Sequence, residues 1–221
     1  MRAMLVGVLA AAVAWSADIT FRQETGRVEI RIGAQPFSNF YYGPDRMKPF
    51  LHPLRSVSGA VVTRSFPVEK IAGESIDHVW HHGLWYAHGD INGVDFWRDL
   101  GMDKTGRIVV QGQPAISRDT LTAECALQTP TKQILGTMRQ RFRFARDGQT
   151  NIVDAEVTIR ADRGAALKLG DTEEGALGFR FADEFKEDRG AVLTNSDGLI
   201  GTKNIWGKRA KWVDYSTTLN R

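Results

Sequence analysis

The chain has 221 residues, 42% hydrophobic and 25% charged, with a formal net charge of +3. This composition excludes a disordered chain and allows a substantial core without disulfide or metal staples. The basic excess is mild and holds no dense Lys/Arg run interleaved with aromatics, so no nucleic-acid partner is expected. Cys125 is the single cysteine, so no intrachain disulfide can form.

The first residues have the layout of a secretory signal peptide. Arg2 gives a short positive start, and Met4 to Trp15 is apolar and rich in Ala, Val and Leu. Ala12-Val13-Ala14 and Trp15-Ser16-Ala17 are cleavage candidates. The apolar run is short for a transmembrane span, although an uncleaved anchor is the alternative. Residues 1–17 are therefore read as a signal peptide and 18–221 as a single domain. The mature protein is expected to be periplasmic or secreted, with no membrane association after cleavage.

After the leader, 19–23 and 27–32 read as strands around a turn at Thr25-Gly26. Val28, Ile30 and Ile32 alternate with Glu29 and Arg31, the two-residue period of a half-buried strand. Residues 36–42 form an aromatic strand ended by Gly43-Pro44-Asp45. In 48–55, Pro49 and Pro53 argue against a helix or a central strand. Residues 59–66 restore a β pattern before Pro67.

The stretch 77–97 is glycine-punctuated and aromatic, which favours strand and loop. From 106 onward the β pattern persists: 106–117, 120–128, 134–145, 151–161 and 165–169 are consecutive candidates. Asp147-Gly148 marks a hairpin turn. Val153, Ala155, Val157 and Ile159 share one face; Asp154, Glu156, Thr158 and Arg160 share the other. Arg139, Arg141, Arg143 and Arg146 alternate as a solvated strand face does, and Cys125 reads as a small core residue. Residues 175–185 and 191–193 continue the strands. No stretch of ten or more residues has a helical period. The expected fold class is all-β, a large antiparallel β-sandwich.

Chemistry concentrates in 77–97. This stretch holds four of the five histidines (His78, His81, His82, His88), Trp80, Trp85, Trp97 and the aspartates Asp77, Asp90 and Asp95. Imidazole moves protons near neutral pH and also ligates metals. One reading is acid–base work by His81, His82 or His88. A second is a metal site of three imidazoles, with Asp77 or Asp90 behind them, although HxxHH is not a standard spacing. The plain alternative is that these histidines cap turns and satisfy buried backbone groups. Metal and cofactor stay unknown.

Two further clusters accompany the histidines. Lys48, His52 and Arg55 suit an anionic or hydroxyl-rich ligand. In Asp171-Thr172-Glu173-Glu174-Gly175, followed by Arg180, Glu174 is a candidate general base, against a plain polar turn. Trp85, Trp97 and Trp206 are candidate stacking faces for sugar rings.

KPFLHPLRS (48–56), HHGLWYAHGDINGVDFW (81–97), GDTEEGALGFR (170–180) and KWVDYS (211–216) resemble a bacterial family labelled methane oxygenase PmoA, or PmoA family protein. The resemblance spans nearly all of the mature chain. The label does not carry membrane methane chemistry here, because no apolar span follows the leader. The resemblance implies a galactose-mutarotase-like supersandwich and a carbohydrate partner, either a small molecule or an oligomer.

Two departures stand out. Val79-Trp80 replaces the family's usual Pro-His, and members usually continue past WVDYS, which implies a C-terminally truncated copy. The expected function is a secreted protein acting on a sugar by His/Glu acid–base chemistry. His81, His82, His88 and Glu174 would be catalytic, and His52, Arg55, Trp85, Asp90 and Arg180 would hold substrate. The alternatives are a non-catalytic carbohydrate-binding protein and a histidine-cluster metal-dependent hydrolase or oxidase.

Overall fold

A computed structural model of the protein describes residues 18–218, so the leader read in residues 1–17 lies outside the described residues. The chain starts as a meander. β1 (Ile19–Glu24), β2 (Arg27–Ile32) and β3 (Gln35–Tyr41) follow one another through tight turns, and β2 pairs antiparallel with both neighbours. Its period-2 pattern holds: Val28, Ile30 and Ile32 are buried, while Arg27, Glu29 and Arg31 are partly exposed.

β4 (Phe50–His52) corrects the expectation drawn from Pro49 and Pro53. It is a central strand, paired with β3 on one side and with β5 (Leu84–His88) on the other. It survives because only three residues enter the ladder. The prolines flank it, so their missing N–H groups fall outside the paired stretch.

A second sheet follows. β6 (Arg107–Val110) and β7 (Ala115–Ser117) both pair with β8 (Thr120–Gln128). The single strand expected over 106–117 is thus two, broken at Gly112-Gln113-Pro114, where Gly112 has φ +75° and Pro114 has no N–H to donate. β9 (Ile134–Asp147) and β10 (Thr150–Arg160) form a long hairpin through Gly148 at φ +53°, as Asp147-Gly148 predicts. β11 (Gly175–Phe179) then returns to the first sheet beside β5.

The strand orders are β1-β2-β3-β4-β5-β11 and β10-β9-β8-β6, every pairing antiparallel. β12 (Val192–Asn195) and β13 (Val213–Ser216) make a small separate sheet, with the single-turn helix α1 (Thr202–Ile205) between them. The fold is an all-β antiparallel sandwich. Among the described residues, no helix is long and apolar enough to cross a membrane.

Three further expectations shorten. Residues 59–66 make only single bridges, Arg55 to Val61 and Thr63 to Phe181; 165–169 contributes one, Ile91 to Leu169. The strand expected over 175–185 stops at Phe179, and Asp183–Phe185 is a 3-10 turn. In each case the local pattern is β, but pairing with the adjacent segment is confined to isolated bridges and does not extend into a ladder.

Cross-strand rows sort the faces. Phe40, Leu51 and Leu84 are neighbours in register and share one face. Phe40 lies 5.8 Å from Phe142 of β9, and Phe37 lies 6.0 Å from Phe144, so this is the face between the sheets. Cys125 is buried there, its thiol pushed up to about 12 by burial. The arginines of β9 face outward and pair with Glu124, Glu156 and Asp119. Such exposed pairs contribute little each.

Where the edge strands β10 and β11 approach, the sheets leave an apolar groove of about 490 Å³ lined by Leu84, Val153, Leu177 and Phe179. Phe142→Ala should remove a ring from the centre of the inter-sheet layer and destabilise the fold by about 3–5 kcal/mol. The urea midpoint would report it.

Candidate functional site

The opposite face of the first sheet carries the row Tyr41, Phe50 and Trp85. The histidine-rich stretch folds over this row as a lid. Trp85 is 2% exposed, and its strand partner Gly178 leaves no space for a side chain above the indole. The His81 ring stacks on Trp85 at 4.9 Å and on His78 at 4.8 Å, and Trp97 packs 5.0 Å from Trp85. His82 stacks on Phe50 at 4.6 Å. His81 and His82 therefore serve here as flat, neutral rings.

Burial enforces that neutrality. It draws His81 and His82 down to about 3, aided by the charges of His78 and Arg180 at His81 and of Lys48 at His82. The Nδ1–H of His82 donates to the Trp80 carbonyl at 3.0 Å.

Two charged ties hold the lid. Lys48, fully buried, donates to the Trp97 carbonyl at 2.7 Å and to the Asp99 carboxylate. Burial pulls the ammonium below its ordinary range and pushes Asp99 above its own, and each partner's charge opposes the other's shift. Arg64, at 0% exposure, donates to Asp77, to the Phe66 carbonyl at 3.1 Å and to the His78 carbonyl at 3.0 Å. Asp77 also accepts from Arg180 at 2.6 Å and pairs with His78 Nδ1 at 2.8 Å. Partial burial raises the Asp77 carboxyl, but the His78 hydrogen bond and the Arg180 and Arg64 charges outweigh it. The carboxyl is held well below its usual range.

The expected catalytic set does not assemble. His81 and His82 lie in separate stacks. His88 donates its Nε2–H to the Gly170 carbonyl at 3.1 Å, with its Nδ1 pressed against Gly175. Glu174 pairs with Arg98 at 3.2 Å. Among the expected substrate contacts, Trp85 is core. Asp90 accepts the Gly93 N–H at 2.7 Å within a turn, and Arg180 is committed to Asp77. Among the described residues, no group of three His, Cys, Asp or Glu is placed to hold a metal ion. Trp97 is buried, and Trp206 is exposed at the end of α1.

His52 and Arg55 do come together. Both line a cleft of about 400 Å³. His52 shares the face of Phe50, two residues away on β4, and is only 4% exposed. Its Nδ1 is buried without a partner beside Gly83, which leaves Nε2 as the other uncommitted ring nitrogen of a residue that lines the cleft. Gly83 makes this packing possible: it sits at φ +61°, and a Cβ there would run into the Leu51 carbonyl and crowd the His52 ring. The glycine of HHGLW thus seats a histidine of another motif. Burial, then the Arg55 charge, lowers His52 to about 4, so its imidazole is neutral near pH 7.

Thr63, Ser65, Glu74 and Asp183 complete the polar wall. None of the four was singled out in the sequence, where they lie in plain β-like or turn-like surroundings. Only their tertiary position marks them.

Residues 27–221 match a family of unknown function, DUF6807. The chain belongs to that family. No curated protein and no solved structure matches it.

In this DUF6807 chain the buried histidines set a pH dependence. The unfolded chain takes up protons as pH falls through about 6.5, whereas folded His52, His81 and His82 resist until about 4, 3 and 3. Stability should be full above pH 7 and fall as pH drops toward 4. Each fully buried histidine contributes up to about 1.4 kcal/mol per pH unit, and half-buried His81 less because solvent screens it. Urea midpoints at pH 7.5, 6 and 5 should decrease in that order. Asp99→Asn should cost about 3–5 kcal/mol by stranding the Lys48 ammonium in the interior; a change below 1 kcal/mol in the same assay would contradict a buried ion pair.

Proposed function

We propose that the protein binds a hydroxyl-rich small molecule, a sugar or sugar derivative, in the His52 cleft, and that His52 is its acid–base group. One observation carries this reading: a histidine almost wholly buried, with one ring nitrogen walled off and the other uncommitted, lines a polar cleft of sugar size. A neutral imidazole accepts a proton at neutral pH and returns it. On a free sugar, His52 would take the anomeric hydroxyl proton while the ring oxygen gains one from water and the ring opens. Reclosure on the other face exchanges the anomers. The resemblance to a mutarotase-like family supports a carbohydrate ligand, and the leader read in residues 1–17 supports one outside the cytoplasm. Fold alone does not choose among chemistries, so the weight rests on His52.

A binding-only role is the second reading. It is favoured because the carboxylates best placed to assist, Glu74 and Asp183, are tied to backbone, serine and cationic partners. Exchange spectroscopy on the α and β anomers separates the two. Catalysis predicts anomer exchange above the solvent rate that His52→Gln reduces at least 100-fold. Binding alone predicts no exchange, with the His52 ring signals still shifting on sugar addition. An unshifted His52 ring across a panel of sugars would remove both readings.

A further inference from the structure

Charge around the His52 cleft is unevenly committed. Both carboxylate oxygens of Glu74 are taken by the N–H groups of Ser65 and Phe66, at 2.7 and 2.8 Å. Asp183 accepts the Ser75 N–H at 2.8 Å and its hydroxyl at 2.6 Å. It also pairs with Lys186 at 3.0 Å and Arg189 at 3.5 Å, which occupies the cleft's second arginine. Glu184 is likewise not free, and Glu69 lies on exposed surface at the mouth.

Arg55 differs from all of these. It is half-buried and lines the cleft beside His52, yet among the described residues its guanidinium has no hydrogen-bond or ion-pair partner. Its backbone is held on both sides: it bridges Val61, and its carbonyl accepts the Asn151 amide at 3.0 Å. The side chain therefore starts from a fixed base. A guanidinium carries five N–H donors in a planar fork that matches the two oxygens of a carboxylate.

We propose that the ligand of this cleft is a sugar acid, its carboxylate gripped by Arg55 and its hydroxyls set against His52, Thr63 and Ser65. The inference rests on the sugar reading of the cleft and narrows it. A monoanion suits the site better than a phosphate. One uncommitted guanidinium balances a single negative charge, whereas a dianion would also face the exposed Glu69 with no second uncommitted cation among the described residues that line the cleft.

Calorimetric titration of the folded protein at low salt with D-glucuronate and D-galacturonate, against D-glucose and D-galactose, tests this. The acids should bind at least tenfold tighter than the parent sugars. Arg55→Gln should weaken the acids about 10- to 100-fold and the neutral sugars less than threefold, about 0.6 kcal/mol, and Arg55→Lys should restore part of the loss. Because a variant can fail through misfolding, the unaltered protein supplies a second readout. Acid affinity should fall between 0.05 and 0.5 M salt, and neutral-sugar affinity should not. Equal affinity for acid and parent sugar, or acid binding indifferent to both Arg55→Gln and salt, would overturn the sugar-acid assignment and leave the sugar cleft standing. No binding of any of the four, with the His52 ring signals unmoved, would remove the cleft reading and the assignment together.

Discussion

The buried guanidinium of Arg64 is the constraint on which the rest of the site depends. A fully desolvated cation is tolerated only when its donors are met and its charge is opposed. Arg64 meets both conditions through Asp77 and the carbonyls of Phe66 and His78. Those contacts draw the loop after Thr63 back against the start of the histidine-rich stretch. Asp77 then reaches Arg180, just beyond β11, so one carboxylate ties three separate segments together. The residues on either side of Arg64, Thr63 and Ser65, are thereby placed in the cleft wall.

The first sheet is covered on both faces, by the second sheet on one and by the lid on the other. This explains why so short a strand as β4 is central and why Leu84, Trp85 and Ala87 of β5 are buried although they lie on both of its faces. It also explains what the histidines do. Stacked on Trp85 and Phe50 and kept neutral by burial, His81 and His82 fill the role of aromatic core residues; His82 keeps one polar contact, to the Trp80 carbonyl, whereas His81 Nε2 is buried without a hydrogen-bond partner. The Lys48–Asp99 pair beneath them adds little net stability compared with an apolar pair, because desolvation offsets the attraction. Its consequence is specificity of placement, since a misplaced lid would leave a buried charge alone.

His52 is the exception among the buried histidines. It too is neutral and packed, but its packing partner is a glycine, and the space beyond its ring is a polar cleft rather than another aromatic ring. The same close approach at Gly83 that admits the ring also blocks its Nδ1. The histidine is left with one working nitrogen and Arg55 for a neighbour, a combination suited to a ligand that brings both hydroxyls and a negative charge.

The strands were legible from the chain itself. The period-2 patterns of 27–32, 120–128 and 151–161 and the Asp147-Gly148 turn each specify a local conformation, because alternation and turn chemistry act over a few residues. Of the cluster Lys48, His52 and Arg55, the chain disclosed the composition alone: His52 and Arg55 line the cleft, whereas Lys48 is buried against Trp97 and Asp99. What the chain could not disclose by itself was convergence. His81, His82, His88 and Glu174 are close in sequence or similar in chemistry, yet register and burial send each to a different partner, and only His52 and Arg55 meet at the cleft. Thr63, Ser65, Glu74 and Asp183 join them from distant segments. Composition determined which side chains were available for chemistry. Tertiary structure decided which of them kept an uncommitted polar atom, because a buried donor or acceptor is claimed by whatever lies within about 3 Å of it.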